Sequence, residues 1–432
     1  MKLSRKFLYM LLACTLMVVP VASTSVAAAG NATSQALAPD TQFYIAKPLH
    51  GAIDQIADLT ASKDKADAEL IKDMILTPQS VWFTGGTPKQ VLQDVRATVE
   101  RATDKGQVPV LVAYNIPYRD CSQYSAGGAA DSAAYKAWID GFAAGIGSAQ
   151  ALVILEPDGL GIIPWYNPFA NRDSWVTNPN YEWCQPSGAD PATAAADRFA
   201  QMNYAVDKLK ANPGTRVYLD ATHSGWLGAG DAADRLIQAG VERADGFFLN
   251  VSNYELTDHL VKYGNWVSGC IAYATYAGEG GWRLGHTEWC ASQYSPANPN
   301  DFSTWTLTDQ WYTDNVYSQY WYNASMSKHF VIDTSRNGQG PWTPPADHPA
   351  GDPQTWCNPP ARGVGLRPTA NTGIPLVDAY LWIKIPGASD GQCYRWTSGP
   401  NDPVRNMEDP AAGAWFPDMA LELVHNANPP LP

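Results

Sequence analysis

LVILEPDGLG, residues 152–161, runs four apolar residues into Glu156, Pro157 and Asp158 and sets glycines at 159 and 161. The stretch ALVILE (151–156) is apolar up to its last residue, as expected of a strand buried on both faces of a parallel sheet. Such a strand has no reason to end on two carboxylates flanking a proline unless its tip faces something polar. Runs of the same kind recur: SVWF (80–83), VPVLVAY (108–114), RVYLD (216–220), GFFLNV (246–251), HFVID (329–333) and DAYLWIK (378–384). Helical patterns lie between several of them. Tyr135, Trp138, Ile139, Phe142 and Ile146 share one face, Ala200, Tyr204, Ala205 and Leu209 do so more weakly, and Ala232, Leu236 and Ile237 suggest a third helix. Strand alternating with helix reads as βα units. The predicted fold is α/β, a modified (β/α) barrel with about seven parallel strands; an open doubly wound sheet is the alternative.

Each run is followed by polar residues. Asn115 and then Arg119 and Asp120 follow 108–114, Asp158 follows 151–156, three more runs close on Asp220, Asn250 and Asp333, and Lys384 and Asp390 follow the last. In a parallel barrel all C-terminal strand ends open on one face, so these groups converge on one basin. A single Asp after a strand is commonly a turn residue or helix N-cap. Four in equivalent places, Asp120, Asp158, Asp220 and Asp390, argue for a site. Gly159 and Gly161 permit a tight turn beside Asp158, and Pro157 fixes the bend. Glu156 reads as a supporting residue.

The totals bound the alternatives. The chain has 432 residues with a net charge of −13, from 42 acidic against 29 basic residues. A nucleic-acid backbone would be repelled. Seventeen Trp and 21 Tyr offer flat faces for ligands such as sugars as well as core. Lys2, Arg5 and Lys6, an apolar run from Phe7 to Val19 and Ala27–Ala29 have the layout of a secretory signal over residues 1–29. The run is short for a membrane span, and residues 30–41 read as a flexible lead-in to a catalytic domain at 42–432. The expected product is secreted, extracellular and soluble, with no membrane or nucleic-acid partner. Cys14 leaves with the signal. Cys121, Cys184, Cys270, Cys290, Cys357 and Cys393 remain, an even number that suggests three disulfides in an exported chain, with spacing leaving the pairing open. No C-x-x-C or H-x-x-x-H spacing occurs, so neither a metal nor a cofactor is expected.

Several carboxylates without metal ligands suit glycosidic hydrolysis, which needs a protonated acid at the leaving oxygen and negative charge elsewhere. A neighbouring carboxylate raises the acid's pKa by repulsion, and Asp120 and Asp158 on adjacent strands could form such a pair. A nucleophilic triad competes: His223, Ser224 and Ser252 are present, but no G-x-S-x-G elbow. His223 reads equally as a buried, hydrogen-bonded histidine or as a ligand contact. Trp82, Trp226 and Trp356 sit beside strand ends or turns; position alone favours core over sugar platform. Trp165, Tyr166, Phe169, Trp175, Tyr181 and Trp183 crowd a Pro/Asn/Asp-rich stretch, which suggests a groove wall, or local packing around Cys184.

The chain resembles glycoside hydrolase family 6, the inverting cellulases. The matching pieces are AYNIPYRDC (113–121), ILEPDGL (154–160), YLDATHSGW (218–226), LNVSNY (249–254), VIDTSRNG (331–338), WCNP (356–359) and RPTANTG through VDAYLWIKIPGASDG (367–391). The resemblance implies a barrel of seven or so strands that hydrolyses β-1,4-glucan with inversion. It implies Asp158 as general acid, Asp120 as the carboxylate that tunes it and relays a proton through water, Asp390 at the position of the family's candidate base, and Asp220 as a further supporting carboxylate. Tyr114 matches the tyrosine that crowds the sugar ring. Trp82, Trp226 and Trp356 match sugar-stacking positions, and His223, Asn250 and Lys384 match positions that hydrogen-bond the glucan. Disulfides Cys121–Cys184 and Cys357–Cys393 are implied, leaving Cys270–Cys290.

Two features depart from the family pattern. Ala388 replaces a Glu common two residues before the S-D-G aspartate, which removes one sugar contact. The aromatic-rich segment 264–328 has its own cysteine pair and is expected to cover or extend one end of the groove. The fairly short Cys357–Cys393 loop and CSQYSAGG (121–128) resemble open-cleft members, so internal cutting is expected; the long 159–184 loop argues for a roofed, chain-end-cutting cleft as the alternative. A non-catalytic glycan-binding protein is the reading from a different class. The partner is a β-1,4-glucan or cello-oligosaccharide, and nothing demands more than a monomer.

Overall fold

In the computed structural model, which describes residues 37–169, 182–276 and 281–432, seven parallel strands follow one another around the sheet in chain order. They are β1 (Val81–Phe83), β2 (Val110–Ala113), β3 (Ala151–Leu155), β4 (Thr215–Asp220), β5 (Gly246–Leu249), β6 (His329–Asp333) and β7 (Val377–Leu381). The order never reverses, which excludes the doubly wound alternative. β7 and β1 meet across a seam where the Ser80 N–H donates to Trp382 O at 3.0 Å and the Trp82 ring N–H to Ile383 O at 2.8 Å. All seven apolar runs became strands; five lose residues at an end, β6 keeps HFVID whole and β4 gains Thr215. The expected secretory signal at 1–29, part of the lead-in, Trp175 and Tyr181 lie outside the described residues.

Alternation of side chains along each strand builds two cores. One face fills the barrel: Val110, Val112 and Tyr114, Leu152 and Ile154, Tyr218, Phe248, Val331, Ala379 and Leu381 pack together. The other face meets the helices. These are α3 (Pro88–Thr103), α4 (Ser132–Ile146), α5 (Ala194–Lys210), α6 (Ala229–Gln238) and α7 (Thr257–Thr275), preceded by α1 (His50–Ala61) and α2 (Lys65–Leu76) and followed by α8 (Trp305–Tyr312) and α9 (Pro417–His425). Tyr135, Trp138, Ile139, Phe142 and Ile146 of α4 are all buried there. Residues of α2 and α9 form a third cluster around Trp382. Because all seven strands run parallel, their C-terminal tips open on one end of the barrel.

Disulfides join Cys121 to Cys184, Cys270 to Cys290 and Cys357 to Cys393. The start of the segment 264–328, expected to cover or extend one end of the groove, is the second half of α7, up to Thr275. The chain after it returns to the barrel mouth: the Gln293 amide donates to Ser224 O and Leu227 O at 2.8 and 2.9 Å, and the Tyr294 hydroxyl to Trp226 O at 2.8 Å.

Candidate active site

β3 ends at Leu155, and the chain then turns sharply. Glu156 and Asp158 both have positive φ, 53° and 61°, a conformation that costs a side-chain-bearing residue energy and marks a turn held by its surroundings. The holders are visible. Asp220, at the tip of β4, accepts the N–H groups of Leu160 at 3.3 Å, Gly161 at 3.1 Å and Thr222 at 2.8 Å. Arg235 of α6 donates to Leu160 O at 2.8 Å and Gly161 O at 3.3 Å, and Arg198 of α5 to Gly159 O and Ile162 O. Gly161 is required by contact: a Cβ there would lie 2.7 Å from the Trp226 ring and 2.8 Å from Thr222 Cγ2. The two carboxylates of the opening stretch part company. Glu156 turns inward, fully buried, and accepts the N–H groups of Asn115 at 2.8 Å and Ile116 at 3.0 Å at the end of β2. Asp158 stays half-buried at the mouth.

Asp120, Asp220 and Asp390 gather around Asp158. Burial pushes the Asp158 carboxyl well above the usual carboxylate range; Asp220, Asp120 and Asp390 push it further, and Lys384 opposes them. Burial raises Asp120 against hydrogen bonds from Ser125, whose N–H and hydroxyl both reach its Oδ2 at 2.9 Å, and against Arg119. Burial raises Asp220 to about 6, against the three N–H bonds and Arg235. Asp390 goes the other way. Burial would raise it, but Arg336 at 2.9 Å and Lys384 at 3.1 Å hold it below the ordinary value. The basin thus sets a carboxyl that holds its proton more tightly than usual beside one that gives it up more readily, the division of labour that acid-assisted bond cleavage needs.

Tyr114 links to this set: its hydroxyl lies 2.9 Å from Ser125 Oγ, and burial, then Asp158 and Asp120, raise its pKa far enough to keep it a neutral phenol. Trp82 packs edge-on to Tyr114 at 5.3 Å. Trp226 lies 5.9 Å from His223. Trp356, 37% exposed, lies 6.3 Å from Tyr124, which touches Tyr394 at 6.0 Å. Burial lowers His223 to about 4, so it is neutral at pH 7; its Nδ1 accepts the Gly225 N–H. Lys384 faces Asp390. Asn250 does not reach the mouth. It is fully buried, its amide donates to Asp333 O at 2.9 Å and accepts from the Glu255 N–H at 3.0 Å. It braces the strand ends, because both halves of its amide are spent on backbone. Of the aromatic stretch, Tyr166 is core, bonded to Asp234 at 3.0 Å, and Trp165 bonds Pro186 O, which is the local-packing reading; Trp183 is exposed.

Among the described residues, Cys393, Asp402 and Asp409 lie close enough together to consider for a cation. They do not suit one: Cys393 is in a disulfide and Asp402 is paired with Arg395 at 2.8 and 3.0 Å.

The sequence profile described as glycosyl hydrolases family 6 matches residues 38–427. The chain belongs to this family. Among similar proteins of glycoside hydrolase family 6, endoglucanase A of Thermobispora bispora is 31% identical over 428 residues, 99% of this chain and 70% of that one. A probable 1,4-β-D-glucan cellobiohydrolase C of Neosartorya fischeri is 29% identical over 379 residues, 82% and 70%. The solved endoglucanase Cel6 of Mycobacterium tuberculosis, in complex with methyl-cellobiosyl-4-deoxy-4-thio-β-D-cellobioside, is 33% identical and superposes with a TM-score of 0.61, covering 89% of this chain and 97% of that one.

Sequence reasoning gave no role to several residues around this basin, although it placed Asp333 at a strand end. Arg336, wholly buried, pairs with Asp390 and sits 4.4 Å over the Tyr254 ring. Asp333 accepts the N–H groups of Ser335, Ile383 and Lys384, at 2.9–3.1 Å, and so anchors the chain that carries Lys384. Ser125 ties Asp120 to Tyr114. Arg336 could have been found, as a charge inside the strand-end motif VIDTSRNG; Arg198 and Arg235 lie mid-helix and leave no such trace.

Proposed function

We propose that the protein is an exported, inverting β-1,4-glucanase that cuts within chains. Asp158 carries the reading: a half-buried carboxyl held protonated by burial and by three neighbouring carboxylates, placed to protonate the glycosidic oxygen as the bond breaks. As the glycosidic bond breaks, a water attacks the anomeric carbon from the opposite face, and the proton that this water loses passes through a second water to Asp120. Asp390 serves as fixed negative charge, since its pairing with Arg336 and Lys384 makes it a poor base. Asp220 shapes the acid's turn, and Tyr114 crowds the ring of the sugar about to be cut. Trp82, Trp226 and Trp356 stack against sugar rings and His223 and Lys384 hydrogen-bond hydroxyls. Residues 42–432 form the catalytic domain, behind the export signal 1–29 and the lead-in 30–41, and the enzyme acts as a monomer.

Internal cutting is supported by four endoglucanases at 31–33% identity, against 28–29% for the cellobiohydrolases, a range that also holds one putative endoglucanase type B. Chain-end cutting remains the second reading because Tyr124 touches Tyr394, linking the loops after β2 and β7. The test is Asp158→Asn, isosteric and unable to donate the proton. On cellohexaose it is expected to lower kcat by about 10²–10⁴ with binding retained. NMR of fresh products should show the inverted anomer, and viscosity of soluble cellulose should fall faster than reducing ends appear. Near-normal turnover by the variant would refute the assignment. Retained anomeric configuration would refute inversion, and slow viscosity loss would favour chain-end action.

A further inference from the structure

Asp120 and Asp158 stand on two separate pieces of chain, the loop after β2 and the turn after β3. One buried side chain from elsewhere holds both. Arg198, on α5, donates from Nη1 to Gly159 O at 2.6 Å and Ile162 O at 2.7 Å, and from Nη2 to Pro117 O at 2.8 Å. It is 2% exposed. Gly159 follows Asp158 directly, and Pro117 lies three residues before Asp120. A guanidinium is planar and rigid, so its donors fix their acceptors relative to one another as a flexible ammonium would not. Glu156, whose charge attracts Arg198, makes a second tie by accepting the Asn115 and Ile116 N–H groups.

We propose that Arg198 is a positioning residue that fixes the loop bearing Asp120 against the turn bearing Asp158, and thereby the spacing of the two carboxylates. It touches neither carboxylate nor, on the proposed function, the substrate; the inference rests on that reading of the site. Repulsion between like charges falls with their separation. If the joint slackens, Asp120 repels ionised Asp158 less and water reaches both, and each effect lets Asp158 lose its proton more easily. The acid form then fails at lower pH. Arg198 therefore acts on the alkaline limb of the kcat profile, which a residue that only supports the fold would leave in place.

Arg198→Lys keeps the charge but not the fork. On cellohexaose its alkaline limb should move down by about half a pH unit or more, and kcat should fall about tenfold with KM within about twofold of the parent. Gln201→Ala is the control. Gln201 lies on the same helix, equally buried, and bonds Ser132 Oγ at 2.7 Å, away from both loops. It should lower the melting temperature and leave the limb where it is. Should Arg198→Lys not fold, Arg198→Gln, which retains a short donor pair, carries the same readout with a smaller shift expected. A folded Arg198 variant with an unmoved limb overturns the proposal, as does a Gln201→Ala limb that shifts equally. Inactivity of the parent enzyme on every cello-oligosaccharide would instead sink the glucanase reading.

Discussion

Asp220 accepts the Gly161 N–H at 3.1 Å, so a carboxylate at the tip of β4 shapes the turn at the tip of β3. The same side chain heads the charges that raise the Asp158 pKa. Geometry and electrostatics of the acid thus share one residue.

Asp220→Asn separates the two. It keeps an acceptor oxygen for the turn and removes the charge. Asp158 should then ionise more readily, and the alkaline limb of kcat should move down, by roughly half to one pH unit. Asp220→Ala also leaves the N–H groups of Leu160, Gly161 and Thr222 unpaired, at a cost of about 1–3 kcal/mol each while they stay buried. Stability should respond to pH as well. The folded pKa, about 6, lies above the ordinary carboxylate value. The stabilisation from Asp220 is full below that ordinary value and is lost as pH rises through about 6. Urea titrations of parent and Asp220→Asn at pH 4, 6 and 8 would reveal it: a difference that does not change over this range contradicts the assignment.

Asp390 behaves with the opposite sign. Its pKa is lowered, so its stabilisation is present above the ordinary carboxylate value and is lost as pH falls through the folded one. Replacing it by Ala strands Arg336, which is wholly buried, and leaves the partly exposed Lys384 without its carboxylate; loss of one partner of a buried pair costs about 3–5 kcal/mol. Asp390→Asn should be milder, because Asn still accepts from Arg336. In both, Lys384 is left unbalanced near Asp158, so the alkaline limb should again move down. If Asp390 were instead the proton acceptor, Asp390→Asn would lose as much kcat as Asp158→Asn; comparing the two variants on one substrate decides it.

The barrel was legible because strands buried on both faces are forced to be apolar, and HFVID and GFFLNV leave little choice. α7 was not legible for a related reason. Tyr263, Gly264, Trp266, Val267, Ser268, Gly269, Cys270 and Ile271 are all buried, so the second half of the helix has no polar face to reveal its period. The carboxylates of the site could be read from their place after each strand. Their supports could not. Arg198 and Arg235 act on backbone carbonyls, which any sequence supplies, so the partner leaves no signature. Asn250 shows the converse: its motif suggested a sugar contact, but a side-chain amide is as well suited to bridging strand tips, and the buried position decides for the bridge.

Gly161 links the acid's turn to the Trp226 ring. Its φ is not in the left-handed region, so Gly161→Ala strains no backbone; it acts through the added methyl, which would meet the indole at 2.7 Å and Thr222 at 2.8 Å. Thr222 is buried and its N–H is tied to Asp220, whereas the half-buried indole can move. The ring should therefore tilt, at an overpacking cost of about 1–3 kcal/mol. On the proposed function this displaces a sugar platform and leaves the carboxylates in place. The expected result is a several-fold rise in KM on cellohexaose, a smaller effect on cellotriose, and a pH profile that does not move. Trp226→Ala should give the same pattern, and the double variant should be no worse than Trp226→Ala alone, because the methyl then has no ring to displace. A kcat loss in Gly161→Ala with a shifted alkaline limb would mean instead that the methyl reaches Asp158 through the turn, and that Trp226 is not what Gly161 makes room for.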